Sequence, residues 1–168
     1  PYINLFRGKT FVIAFGGKAI SGPFARTLAY DANLLAALGV RLVLVHGARP
    51  QIEEELREKG LESKTHAGYR VTDAATLDCV IDAVGSVYLE IDALLSQGLP
   101  DTPMANSMIR VIMGNFITAK PIGVIDGVDM QYAGAVRKID GEGIRAQLGI
   151  GNIVALSCPG SSPTGEIF

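Results

Sequence analysis

The sequence predicts an α/β fold with a mainly parallel central sheet and added β-hairpins. Three observations carry that expectation. Short apolar, β-branched runs at residues 10–15 (TFVIAF), 41–46 (RLVLVH) and 152–156 (NIVAL) have the length and composition of fully buried strands. The first two are each followed by a glycine-bearing loop and a helical stretch, the order expected of parallel strands joined by right-handed crossovers. From Ile109 onward, short β-type segments punctuated by Gly114, Gly123, Gly127 and Gly134 fit hairpins better than crossovers.

The strand at 10–15 stops at Gly16-Gly17. After the breaker Ser21-Gly22-Pro23, Phe24, Leu28, Leu34, Leu35 and Leu38 keep a helical period as far as Gly39, a residue suited to follow a helix C-terminus. The strand at 41–46 runs through Gly47-Ala48-Arg49-Pro50 into a charged amphipathic helix at 51–59, ended by Gly60. Thr72 or Asp73 can cap a long helix at 74–95, with Leu77, Val80, Ile81, Val84, Tyr88, Ile91 and Leu95 as its expected core face. Beta-type segments follow at 110–113, 116–119 and 128–136, then a short helix at 140–148, the strand at 152–156 and turn residues at 157–165. With no repeat and no linker, residues 1–168 read as one domain or as one lobe of a larger one.

Composition narrows the function classes. Fifteen Lys and Arg against 17 Asp and Glu leave a net charge of −2, which supplies no basic field for nucleic acid or an anionic membrane. The apolar runs are far shorter than the ~20 residues a membrane span needs, and nothing at the N-terminus resembles a signal peptide, so a cytoplasmic protein is expected. Cys79 and Cys158 are widely separated, without CxxC spacing or a nearby histidine, and are expected to be buried free thiols.

Several motifs fail on spacing. A P-loop requires GxxxxGK[ST], but Val12 stands five residues before Gly17 and Ala19 follows Lys18. Residues 141–146 fit GxGxxA formally but follow no long buried strand. There is no GxSxG, and the pyrophosphate pattern approached at Ala146, Gly149 and Gly151 lacks its leading Arg or Gln. His46 and His66 give no metal-ligand spacing, and His46 at a strand end reads as a hydrogen-bonded structural residue. No catalytic residue and no metal site are assigned.

A constellation is more informative. The two glycine loops lie at the carboxyl ends of adjacent parallel strands, the edge at which open α/β sheets bind ligands. Gly47-Ala48 opens directly into a helix, whose N-terminus favours a carboxylate or phosphate. Arg70, ahead of the long helix, can add a bidentate carboxylate grip. The alternative is that these glycines only permit turns and Arg70 sits in a surface salt bridge.

Five strings also resemble a known family: residues 11–20 (FVIAFGGKAI), 44–52 (LVHGARPQI), 69–77 (YRVTDAATL), 122–129 (IGVIDGVD) and the ending at 160–168. Together they resemble the amino-acid kinase fold, in the order seen in N-acetylglutamate kinases and in the regulatory domain of N-acetylglutamate synthases. The wording of residues 8–10, 46–51, 114–117 and 121–124 is closer to the bacterial synthases. In the kinases a lysine two residues ahead of the first glycine neutralises the transferred phosphoryl group, and here that position is Ala14. Gly47-Ala48-Arg49 likewise replaces the three glycines of the kinase's second loop.

The resemblance implies a three-layer α/β/α amino-acid-kinase-like (carbamate-kinase-like) fold, with residues 1–168 as its N-terminal lobe and with the second lobe and a C-terminal acetyltransferase domain lying outside this chain. It implies a parent enzyme that transfers acetyl from acetyl-CoA to L-glutamate in the first step of arginine biosynthesis, this region sensing L-arginine as feedback effector and being inactive alone. The alternative it leaves is an N-acetylglutamate kinase acting on ATP and N-acetylglutamate; a ring-forming scaffold without effector is a third. By the same resemblance Gly16, Gly17, Gly47, Ala48 and Arg70 line a substrate-like pocket, Tyr2 touches arginine, the assembly is a homo-oligomer, and no cofactor is held within this chain.

Overall fold

A computed structural model describes residues 5–97 and 109–168. In chain order the elements are β1 (Thr10–Phe15), α1 (Phe24–Ala37), β2 (Arg41–His46), α2 (Arg49–Glu58), β3 (Thr65–His66), β4 (Tyr69–Arg70) and α3 (Ala74–Ser96). They continue with β5 (Val111–Ile112), β6 (Ile117–Pro121), β7 (Val124–Ile125), β8 (Val128–Asp129), β9 (Gly134–Ile139), α4 (Gly141–Gly149) and β10 (Ile153–Ser157). The central sheet is wholly parallel, in the order β1-β2-β10-β5.

Alternation along the strands divides the core in two. Phe11, Ile13, Phe15, Leu42, Leu44, Ile153 and Ala155 face α1 and α3, together with Ile52 and Leu56 of α2. Val43, Val154 and Leu156 face the opposite way, onto Ile144 and Leu148 of α4. Helices on both faces of a parallel sheet make a three-layer α/β/α architecture. Both helix starts flanked by an aspartate are capped by it: Asp73 accepts from the Thr76 amide at 2.8 Å and Asp140 from the Gly143 amide at 3.0 Å.

Several expectations are corrected. The first strand is an edge strand half-buried on one face and exposed on the other; Val12 on its outer face is 66% exposed, because α4 covers that face only over β2 and β10. The buried stripe of α3 is Thr76, Cys79, Ala83, Val87, Ile91 and Leu95, while Ile81 and Tyr88 are exposed. Small side chains allow α3 to lie close to α2, and that turns the larger apolar residues outward. The segment at 110–113 is not part of a hairpin: β5 joins the central sheet beside β10. The segment at 128–136 is two strands, β8 pairing with β7 and β9 with β6, separated at Met130–Ala133 where Gln131 has φ +53°. Cys79 is buried as expected, but Cys158 is exposed, in the loop after β10. The β3–β4 hairpin, turning at Ala67-Gly68 with φ +48° and +82°, is an addition to the expected elements.

Candidate functional site

The carboxyl ends of β1, β2 and β10 face the β6–β9 ribbon across an open cleft of about 770 Å³. Parallel pairing in the register Phe15↔His46 brings the two glycine loops together, and the Gly47 amide donates to the Phe15 carbonyl at 2.9 Å. Gly16 and Gly47 line the cleft beside Ala14 and Val45. Gly17 and Ala48 lie behind it. Gln51 Nε2 donates to the Gly17 carbonyl at 2.9 Å and to Ser21 Oγ at 3.2 Å, tying the first loop beneath the start of α2. Ala48, 1% exposed, is the N-cap residue of α2 and makes no side-chain capping bond.

No charged side chain lines this cleft among the described residues; its walls include Ile117, Ala119, Val136, Ile139, Leu156 and Phe168. The helix N-terminus offers an anion less than its position suggests. The Gly47 amide is already engaged, and Pro50 in the first turn of α2 has no N–H to give. The ribbon side of the cleft is not legible in the sequence because it is assembled by long-range pairing. A trace of it lies in Gly134, where a methyl group would fall 2.6 Å from Phe168 Cβ.

His46 corrects an expectation. It is 3% exposed and stacks against Phe15 with ring centroids 6.4 Å apart, yet neither ring nitrogen has a hydrogen-bond partner among the described residues. By strand alternation its ring shares the face of Leu42 and Leu44, the side covered by helices. Burial holds its pKa below the ordinary histidine value; the Gly47 backbone opposes that shift without reaching hydrogen-bond geometry. His46 thus borders the cleft at the end of β2 with its ring buried and stacked on Phe15, an aromatic packing group at the strand end.

Arg70 lies apart from the glycines. It lines a second hollow of about 370 Å³, with Tyr69, Thr72, Tyr132 and Phe168, and this hollow shares Gly134, Cys158, Pro159 and Phe168 with the main cleft. Its guanidinium is already engaged: NH2 donates to Glu53 Oε1 at 2.7 Å and NH1 to Ser63 Oγ at 2.6 Å. Ser63 Oγ in turn donates to the same Glu53 oxygen at 3.2 Å, closing a triangle that ties β4 to α2. The hydrogen bond from Arg70 holds the Glu53 carboxyl below its ordinary range, with Ser63 and the charge of Arg49 adding to it. Tyr2 lies outside the described residues. Among the described residues no group of three or more His, Cys, Asp and Glu side chains is placed to hold a metal ion, and no helix is long and apolar enough to cross a membrane.

A model of the Amino acid kinase family matches residues 9–168. The chain belongs to the amino acid kinase family. Among its curated relatives in that family, the amino-acid acetyltransferases of Ectopseudomonas mendocina (strain ymp) and Pseudomonas putida (strain GB-1) are each 52% identical over all of this chain, which covers 39% of their length. A solved N-acetylglutamate synthase from Neisseria gonorrhoeae, complexed with coenzyme A and L-arginine, superposes with a TM-score of 0.91 at 39% identity, over 100% of this chain and 39% of that one. The same enzyme complexed with coenzyme A and N-acetyl-glutamate gives 0.86 at 39% identity, over 100% of this chain and 38% of that one. A carbamate kinase from Giardia lamblia bound to AMP-PNP is 14% identical with a TM-score of 0.60, over 96% of this chain and 61% of that one, a likeness of fold alone. The chain therefore spans about two-fifths of the length of its acetyltransferase relatives, and the amino-acid-kinase-like architecture expected from the resemblance is the one found.

Proposed function

We propose that this chain is the first lobe of the regulatory, amino-acid-kinase-like domain of an N-acetylglutamate synthase, and that it senses L-arginine without performing chemistry itself. The observation that carries the reading is the cleft at Ala14. Phosphoryl transfer needs fixed positive charge where the transferred group gathers negative charge, and no cation lines this cleft among the described residues. The walls are apolar, so a polyphosphate entering here would lose hydration without gaining a counter-charge.

Acetyl transfer makes a different demand. The α-amine of glutamate has to lose a proton and attack the thioester carbonyl of acetyl-CoA, which calls for a base and an oxyanion stabiliser within reach. His46 borders the cleft with its ring buried and stacked on Phe15, and Glu53 is tied to Arg70, so neither stands free as a base. That chemistry belongs to a transferase domain outside this chain, in keeping with acetyltransferase relatives more than twice its length. Within the lobe, Gly16 and Gly47 line a substrate-like pocket retained without catalysis, Gly17 and Ala48 support it from behind, Arg70 serves it from the adjoining hollow, and Tyr2 belongs to the arginine contact. The parent protein is a cytoplasmic homo-oligomer that takes L-glutamate and acetyl-CoA. Nothing in the cleft favours the N-acetylglutamate kinase alternative.

The test is a steady-state assay of the intact protein. It is expected to form coenzyme A from acetyl-CoA and L-glutamate and to slow as L-arginine is added. Acetyl transfer indifferent to L-arginine would remove the regulatory role, and no acetyl transfer at all would remove the synthase assignment.

A further inference from the structure

The main cleft and the hollow beside it share Gly134, Cys158, Pro159 and Phe168 in their walls, and among the described residues lining either one, Arg70 alone carries a charge. A carboxylate entering this space has one cation to find. That cation is not free: Glu53 and Ser63 hold its two terminal nitrogens at 2.7 and 2.6 Å. The partners differ in burial. The Arg70 side chain is 16% exposed and the Glu53 side chain 44%, so Glu53 can swing into water at little cost while Arg70 stays against the hollow.

We propose that Glu53 is an internal competitor that decides whether this pocket holds a carboxylate: a ligand's carboxylate binds at Arg70 only by taking the place of Glu53 on the guanidinium. The proposal rests on the reading of this lobe as a non-catalytic pocket for a small acid, and it adds the residue that sets that pocket's affinity. Glu53 makes a single-oxygen contact with one terminal nitrogen, whereas a guanidinium presents five N–H donors in a planar fork suited to two parallel bonds. A ligand able to make that bidentate contact has the geometric advantage, and the standing Glu53 charge is what it has to overcome. Ser63 contributes by bonding both partners, fixing the guanidinium and the glutamate in one arrangement. Glu53 and Ser63 are positioning residues, because they act on a ligand only through Arg70.

The experiment is calorimetric titration of the intact protein with N-acetyl-L-glutamate, comparing wild type, Glu53→Gln, Glu53→Gln/Arg70→Met and Ser63→Ala. Any binding at a transferase site is common to all four and cancels in the comparison. Glu53→Gln keeps the shape of the side chain and removes the competing charge, so it is expected to tighten binding at this pocket by about tenfold, the size of one charge-assisted hydrogen bond. The gain should vanish in the double variant, and Ser63→Ala should move in the same direction by less. Unchanged or weaker binding in Glu53→Gln, or a gain that survives the loss of Arg70, overturns the proposal. Acetyl transfer and arginine inhibition measured on the same samples separate that failure from a failure of the synthase reading, which would already appear in the wild type.

Discussion

Adjacent glycines in the first loop have opposite duties, and a single methyl group distinguishes them. At Gly17 a Cβ would fall 3.0 Å from the Gly47 carbonyl oxygen and 3.0 Å from Pro50 Cδ, with the Gln51 amide closer still. The backbone groups there cannot move without disturbing the β1–β2 register. Gly17→Ala is therefore expected to destabilise the protein by about 1–3 kcal/mol, as overpacking does. At Gly16 nothing lies within 4 Å of the place a methyl group would take, and its φ of −80° suits any residue. Gly16→Ala should stay within about 0.5 kcal/mol of wild type. Urea denaturation of the two variants side by side checks both values; equal costs would mean that the loop is not packed as described. At the same scale, Ala14 puts an uncharged methyl group in the wall of the cleft, where phosphoryl transfer would call for fixed positive charge.

At the scale of elements, the long helix α3 depends on how it begins. Asp73 accepts from the Thr76 amide at 2.8 Å, and this bond, followed by one to the Thr76 side chain, holds its carboxyl below the ordinary value of 3.8. A carboxylate with a depressed folded-state pKa contributes stability that is complete above its unfolded value and is lost as pH falls through the folded one. Asp73→Ala should cost about 1 kcal/mol at neutral pH, and the difference from wild type should shrink below pH 3.8, as read by denaturation across that range. A difference that stays constant with pH would show that the cap is not ionic. The Asp73 cap is legible in the sequence because capping is local, and so are β1, β2, α1 and α2, each a run bounded by glycine or proline. The rest is set by partners distant in sequence. The exposed face of β1 follows from where α4 stops, the α3 stripe from the small residues it presents to α2, and the β6–β9 wall from pairing between Ile117 and Ile139. Arg70 stands out by its place before α3, but its engagement with Glu53 and Ser63 depends on the β3–β4 hairpin, whose turn at Ala67-Gly68 no residue pattern announces.

Taken whole, the chain keeps the frame of the amino acid kinase family around a cleft that no charged side chain lines among the described residues. Parallel strands still deliver two glycine loops to one edge of the sheet, and the ribbon still roofs them. The residues between are mostly apolar, and among the described residues the one cation lining the adjoining hollow, Arg70, is already paired. The most direct measurement is ADP release by the intact protein supplied with ATP, magnesium and N-acetyl-L-glutamate. No ADP is expected above the rate without N-acetyl-L-glutamate; sustained, substrate-dependent ADP formation that disappears when Gly16 or Gly47 is replaced would contradict a cleft without phosphoryl chemistry.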